Sequence, residues 1–135
     1  MPVAKFHVHH GQYDQQRLER LGNAVQGALE AVLKIPPEDY YRIFYELPPQ
    51  HFVHTPAFLG LKYSKDFVLL ELTFINGRPT DTRLALLKEI NRRAVAEAGI
   101  SQDDMVVLMY ELPGENVSFG QGLAQRAHIS SAAAS

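Results

Sequence analysis

The sequence predicts a two-layer α/β domain (an α+β arrangement), because the chain contains two copies of a strand–helix–strand unit. Ile35–Pro48 aligns with Ile100–Pro113 at a constant offset of 65 residues, and both segments end in Tyr-Glu-Leu-Pro. Upstream the offset is 66, which pairs Gly11 with Gly77 and indicates one inserted residue near Lys34. Two such units, each with parallel strands and one covering helix, give a four-stranded sheet with both helices on one face.

The first repeat covers residues 2–48. A strand-like run begins at Pro2 and continues to Val8. Asp14 is expected to cap a helix from Gln15 to Leu33, whose apolar residues recur at three- and four-residue spacing. Tyr40–Leu47 is rich in aromatic and β-branched residues, which favours a strand.

The second repeat covers residues 67–113. Phe67–Ile75 is the most hydrophobic segment of the chain and is predicted to be a strand. Thr80 is expected to cap the second helix, Gly99 to end it, and Met105–Leu112 to form the closing strand. The residues of this helix expected to face the core are Leu84, Leu87, Ala94 and Ala98.

The rest of the chain adds one connection and one tail to a single domain at residues 1–129. Pro48–Tyr63 contains several prolines and is predicted to be a loop with one short edge strand. Residues 130–135 are small and polar, and we expect them to be disordered.

Composition excludes several classes of function. The chain has 135 residues, a net charge of −2 and no basic cluster, so neither nucleic acid nor a membrane is an expected partner. It has no cysteine, which excludes disulfides, thiolate catalysis and cysteine-ligated zinc. No apolar run could span a bilayer and no secretory signal is present, so a cytoplasmic location is expected.

The segment Phe67–Ile75 also predicts self-association. Its apolar residues point to both faces of the strand, which is typical of a strand buried on both sides. Two helices cover only one face, so we expect other copies of the chain to cover the second in a closed homo-oligomer.

Pro2 is a candidate catalytic residue. Removal of the initiator Met would leave a secondary amine at the end of an ordered strand. An α-amino group titrates at about 7.7–8.0, and burial in an apolar pocket lowers that pKa. Such an amine suits general acid–base chemistry near neutral pH.

These features together resemble the tautomerase superfamily, and within it the group containing malonate semialdehyde decarboxylase. The resemblance runs from Pro2 to about Ala124. Besides the start of the chain, it rests on Ile35–Tyr41, on the turn Asn76-Gly77-Arg78 and on Val117–Gly122. It implies a cofactor-independent enzyme that assembles as a homotrimer.

The resemblance also implies roles for individual residues. Pro2 would be the catalytic amine, and Asp39 the aspartate that assists it or orients water. Arg78 would bind the substrate carboxylate and carbonyl as the second of two family arginines. The first of these arginines is replaced by Asn76, a neutral amide that can still contact substrate. Phe119 is a further candidate that rests on the residues alone: we expect it to line an apolar part of the substrate site, although core packing explains it equally well.

The function that follows is keto–enol tautomerisation of small 2-keto or enol acids of the aryl-pyruvate type. One alternative is a decarboxylase or hydratase of the malonate semialdehyde type, which the loss of a cation at Asn76 disfavours. Another is a non-catalytic oligomeric binding protein, in which Pro2 is vestigial or blocked by Met1.

The histidines favour no metal site from sequence alone. His7 and His9 share one face of the first strand, and two such imidazoles could bind zinc only with a further ligand. A half-exposed strand face explains them better than a metal site does, so we expect neither a metal nor a cofactor.

Overall fold

The computed structural model describes residues 1–127 of the chain. Its elements are β1 (Pro2–His9), α1 (Gln15–Leu33), β2 (Tyr41–Leu47), a 3₁₀ turn (Pro49–His51), β3 (Ala57–Phe58), β4 (Leu61–Lys62), β5 (Val68–Ile75), α2 (Thr80–Ala98), β6 (Met105–Leu112) and a second 3₁₀ turn (Gly114–Asn116). The tail predicted at residues 130–135 lies outside the described residues. Neither helix within residues 1–127 has the length and apolar character needed to cross a lipid bilayer.

The main sheet has the strand order β2-β1-β5-β6. The strands of each repeat, β1 with β2 and β5 with β6, pair in parallel. The two repeats join through an antiparallel pair, β1 with β5, in which Pro2 lies opposite Phe74. The predicted architecture, with duplicated strand–helix–strand units and both helices on one face, is therefore confirmed.

The core lies between the two helices and one face of the sheet. Alternate residues of β1 and β5, such as Phe6 and Leu70, are fully buried against helix residues such as Leu21 and Ile90. Burying a side chain of this size stabilises the fold by about 1.5–3 kcal/mol. Because the apolar residues alternate along each strand, this energy fixes which face of the strand packs on the helices and which face is left uncovered by them.

Two of the three predicted helix ends are confirmed and one is wrong. Asp14 accepts a hydrogen bond from the backbone N–H of Arg17 at 2.7 Å, and Gly99 ends α2 with a positive φ of 67°. Thr80 is instead the first residue of α2, because the extended Pro79 occupies the capping position and its carbonyl accepts the first helical bonds.

The repeat register differs from the sequence prediction. The helices correspond at an offset of 65 residues, with buried Leu21 matching Leu86 and buried Val25 matching Ile90. The inserted residue therefore lies in the turn between β1 and α1, which is one residue longer than the turn after β5, and not near Lys34. This shift explains why Leu84 is 58% exposed instead of facing the core.

The connection from Pro48 to Tyr63 contains more structure than predicted. It starts with the 3₁₀ turn Pro49–His51 and continues into a separate two-stranded sheet, β3 with β4. The predicted single edge strand is therefore wrong, because the two short strands pair with each other through Ala57–Lys62 and Phe58–Leu61.

The second face of the sheet, which we expected to be substantially apolar, carries both apolar and charged side chains. The central strands place Lys5, His7 and Glu71 on it, with His7 Nε2 3.5 Å from a Glu71 oxygen. Large apolar or aromatic side chains of the two outer strands remain 38–48% exposed around this polar centre. These residues are Tyr41, Ile43, Tyr45, Leu108 and Tyr110. We call this the open face.

Candidate active site

The candidate site lies where β1 begins and β5 and β6 end. Pro2 is buried and pairs with Phe74, so its ring is held rigidly at the edge of the sheet. Met1 is attached in this structure, which makes the Pro2 nitrogen an amide and places the free amino group on Met1. Loss of Met1 would move the free amine by one residue, to the ring nitrogen of Pro2.

The amino group is held by an ion pair. It donates to Asp39 Oδ2 at 2.7 Å, and both side chains are largely buried. Burial lowers the pKa of the amino group below its ordinary value of 8.0. The hydrogen bond and charge of Asp39 raise that pKa, whereas the charges of Arg78 and Arg126 lower it, and the net direction is downward.

Arg78 is fixed by its own turn. Its Nη1 donates to the carbonyl of Ile75 at 3.1 Å, and its guanidinium lies 5.7 Å from the centre of the Phe74 ring. Burial lowers the pKa of Arg78, and the negative charges of Asp39 and Glu111 act in the opposite direction. Arg83 supports the turn by donating to the Arg78 carbonyl at 3.1 Å.

The segment after β6 forms the wall of the site. Two adjoining cavities, of about 210 Å³ and about 380 Å³, share Tyr41 and Phe119 as lining residues. The backbone N–H of Phe119 donates to Gln125 Oε1 at 3.0 Å, and Gln125 Nε2 donates to the Gly120 carbonyl at 3.0 Å. The cavities thus combine an aromatic wall with a polar side that includes Asp39 and Arg126.

Asp39 differs from its counterpart in the second repeat. Asp104 is 1% exposed and accepts hydrogen bonds from the backbone N–H and hydroxyl of Ser64. Asp39 instead faces the terminal amino group. Asp104 therefore anchors the loop that contains Ser64, whereas Asp39 contacts an ionisable amino group.

The structure brings together four of the five predicted site residues. Asp39 and Phe119 line the cavities, and Pro2 lies between the lining residues Met1 and Val3. Arg78 lies within electrostatic reach of the Met1 amino group. Asn76 is exposed at the same edge of the sheet, where its backbone N–H donates to the Leu112 carbonyl at 2.8 Å. The substrate-binding role expected for Asn76 stays a prediction.

Sequence reasoning missed Arg126. It lies beyond the second repeat, so no counterpart in the first repeat drew attention to it. One signal was present, because Arg126 is the sole Lys or Arg after Arg93. A lone cation in an otherwise small and polar segment is a candidate for a specific electrostatic role.

A substitution at Gly114 tests whether the segment that carries Arg126 must pack closely against the turn after β6. A Cβ at Gly114 would collide with the backbone carbonyl of Arg126. We expect Gly114→Ala to displace Arg126 and weaken the binding of a small carboxylate anion about tenfold or more, since a charged hydrogen bond contributes about 1.5–3 kcal/mol. Glu115→Ala, in the same exposed turn, is the matched control. Unchanged anion affinity with unchanged thermal stability would contradict the docking role.

The arrangement can bind an anion and move a proton. Two arginines offer positive charge, and Arg can bind a carboxylate through two parallel hydrogen bonds. The lowered pKa favours the neutral amine at a lower pH than usual, which is what a general base requires.

Comparison with known proteins gives a consistent result. Two family profiles, each described as "Tautomerase enzyme", match residues 39–120 and residues 2–61. Over 93% of its length the chain is 29% identical to the probable tautomerase YrdN and 23% identical to the probable tautomerase YusQ, both of Bacillus subtilis (strain 168). These matches cover 95% and 98% of the two proteins.

Solved structures show the same similarity at the level of the fold. A crystal structure of malonate semialdehyde decarboxylase matches with a TM-score of 0.83 at 25% identity, covering 90% of this chain and 93% of that chain. A symmetric trimer of wild-type fused 4-OT shares the fold with a TM-score of 0.75 at 19% identity, covering 93% of this chain and 97% of that chain.

Proposed function

This chain belongs to the tautomerase family, and we propose that it catalyses keto–enol tautomerisation of small 2-keto acids with the amine of Pro2 as the acid–base group. The observation that carries the proposal is a buried terminal amino group surrounded by Asp39, Arg78 and Arg126. Loss of Met1 would transfer the free amine to Pro2, which is already ordered in the sheet.

The proposed reaction gives each of these groups a defined role. The neutral amine removes a proton from the carbon next to the keto group, and the electron pair moves into the carbonyl to give an enolate. Arg78 stabilises the developing negative charge and Arg126 holds the carboxylate. Asp39 orients the amine, which then delivers the proton to the enolate oxygen. Phe119 and Tyr41 offer an apolar surface for an aryl side chain.

The direct test is enol-to-keto conversion of an aryl pyruvate, followed by ultraviolet absorbance. We expect measurable turnover that falls in Pro2→Ala, which keeps a primary and more flexible amine, while folding and assembly are retained. Absence of turnover in protein whose intact mass proves loss of Met1 would overturn the proposed activity.

A second candidate is decarboxylation or hydration of a malonate semialdehyde-type substrate. Similarity to malonate semialdehyde decarboxylase at 25% identity favours it. Asn76 lacks the positive charge of the family arginine, which disfavours decarboxylation. Arg126 weakens this objection, because it brings a second positive charge to the site from another segment. The non-catalytic alternative, an oligomeric binding protein with Met1 retained, predicts no turnover at all.

We further propose that the protein is a homotrimer in which the open face is covered by neighbouring copies. The exposed apolar and aromatic side chains of β2 and β6 support this proposal, as does the similarity in fold to trimeric fused 4-OT. Small polar clusters such as His7 and Glu71 would then lie inside the assembly, paired with each other.

Sedimentation equilibrium at micromolar concentration should reveal a species of about three 15.2 kDa chains. Leu108→Lys places a charge on the open face and should dissociate the trimer. Leu84→Lys is the matched control, because Leu84 is equally apolar and 58% exposed but lies on α2. A wild-type monomer, or a Leu108→Lys protein that stays trimeric, would contradict the interface.

A further inference from the structure

The side chain of Arg83 connects three segments beside the candidate site. Its Nη1 donates to the Arg78 carbonyl at 3.1 Å and to Glu111 Oε1 at 3.2 Å. Its Nη2 donates to Thr80 Oγ1 at 3.2 Å. The guanidinium of Arg83 therefore joins the turn that carries Arg78, the first turn of α2 and the end of β6.

Two carboxylates attract the guanidinium of Arg78. The negative charges of Asp39 and Glu111 both act on it. Asp39 lines the larger of the two site cavities, whereas Glu111 lines neither of them. Glu111 is paired with Phe74 across the sheet, and the Arg78 guanidinium lies 5.7 Å from the centre of the Phe74 ring. A Glu111 carboxylate without another partner would therefore draw Arg78 away from the cavities.

The pairing of Arg83 with Glu111 belongs to the second repeat alone. Glu111 corresponds to Glu46 in the first copy of Tyr-Glu-Leu-Pro, and Glu46 is exposed. At the offset of 65 that relates the helices, Arg83 corresponds to Leu18, which is buried in the core. The first repeat therefore folds with an apolar residue in place of Arg83, and the ion pair is found at the end of the sheet that carries the candidate site.

We propose that Arg83 is a positioning residue, which engages Glu111 and thereby leaves the Arg78 guanidinium directed at the substrate. The proposal rests on the tautomerase function proposed above, in which Arg78 stabilises the charge that develops on the carbonyl oxygen. The bond from Arg83 to the Arg78 carbonyl fixes the backbone from which the Arg78 side chain projects. The bond to Glu111 occupies the competing carboxylate.

The ion pair between Arg83 and Glu111 adds little to the stability of the fold. Both side chains are 30% exposed, and water screens ion pairs at such positions. A merely structural role for Arg83 would therefore produce a small loss of thermal stability and little change in rate. Misdirection of Arg78 would instead remove charge stabilisation from the transition state, which lowers kcat more than it raises KM.

The variant Arg83→Gln releases Glu111 and tests the proposal in protein that begins at Pro2. We expect kcat for an aryl pyruvate to fall about tenfold or more, the effect of losing one charged hydrogen bond in the transition state. The thermal midpoint should fall by only about a few degrees. The double variant Arg83→Gln/Glu111→Gln should recover most of the lost kcat, because the competing charge is then absent.

Recovery in the double variant separates positioning from a structural role, since two substitutions that only weaken the fold would add their effects. Arg92→Gln is the matched control. Arg92 is also an ion-paired arginine of α2, bonded to Glu89 at 2.7 Å, and its loss should leave kcat unchanged. If Arg83→Gln does not fold, Arg83→Met keeps the apolar stem and enters the same comparison.

Crystal structures of the wild type and both variants test the positioning without reference to activity. Arg78 Nη1 bonds the Ile75 carbonyl at 3.1 Å in the wild type. We expect Arg78 to bond Glu111 in Arg83→Gln and to return to Ile75 in the double variant. If the wild type has no turnover but Arg78 moves in this way, the proposed function fails and the positioning role of Arg83 stands. An unmoved Arg78 in Arg83→Gln, or an active wild type whose double variant is no faster than the single one, would overturn the inference.

Discussion

Protein that begins at Pro2 is expected to tautomerise an aryl pyruvate at least about a hundredfold faster than protein that retains Met1, because a positioned general base contributes about 10²–10⁴-fold. With Met1 attached, the Pro2 nitrogen is an amide and cannot accept a proton. The Met1 amino group is one residue displaced from the ring and is paired with Asp39 at 2.7 Å. It can therefore replace the proline amine only poorly.

Both forms can be made from a fusion that a protease cleaves before the chosen residue, and intact mass verifies each. In the form with Met1 attached, burial, Arg78 and Arg126 lower the pKa of the Met1 amino group and Asp39 raises it, with a net lowering. We expect the same surroundings to lower the pKa of the Pro2 amine, so the rising limb of kcat/KM against pH in the Pro2 form should lie at lower pH than the titration of an unburied prolyl amine. Equal rates for the two forms, with equal assembly by sedimentation, would refute the catalytic role of Pro2.

The fold could be predicted from sequence because the duplication and the apolar periodicity are local signals. The bounds of α1 and β6 match the prediction, and the family membership inferred from the ordered motifs is confirmed. The register of the second helix could not be read correctly, since one residue in a turn shifts every helical position that follows. Only burial of Leu86 and Ile90, against exposed Leu84, identifies the correct alignment.

The candidate site was less accessible to sequence reasoning. Asp39 and Asp104 occupy equivalent places in the two repeats, and only three-dimensional contacts separate their roles: one faces an amine and the other anchors Ser64. Arg126 reaches the site from a segment with no fixed spacing from the other site residues. Its position depends on how the segment after β6 folds back over the sheet.

Substitution of the two arginines should separate tautomerisation from decarboxylation. Arg78→Gln is expected to lower tautomerase kcat/KM by roughly ten- to a hundredfold, because a charged hydrogen bond contributes about 1.5–3 kcal/mol and each 1.36 kcal/mol is tenfold in rate. Both arginine charges lower the pKa of the Met1 amino group, and we expect them to act in the same direction on the Pro2 amine. The rising limb of the pH profile should therefore move to higher pH in Arg78→Gln and in Arg126→Gln, and should stay in place in Arg126→Lys.

Decarboxylation makes the opposite demand on the amine. Loss of CO₂ from a β-keto acid leaves an enolate, which a protonated amine stabilises, while a second cation must hold the departing carboxylate. Asn76 cannot supply that charge, so the natural protein is expected to decarboxylate malonate semialdehyde weakly, through Arg126 alone. Asn76→Arg should raise decarboxylation and offset part of the loss in Arg126→Gln, whereas Asn76→Gln, the neutral control, should do neither. Efficient decarboxylation by the natural protein with no detectable tautomerisation would reverse the order of the two proposed activities, because the amine would then serve as an acid.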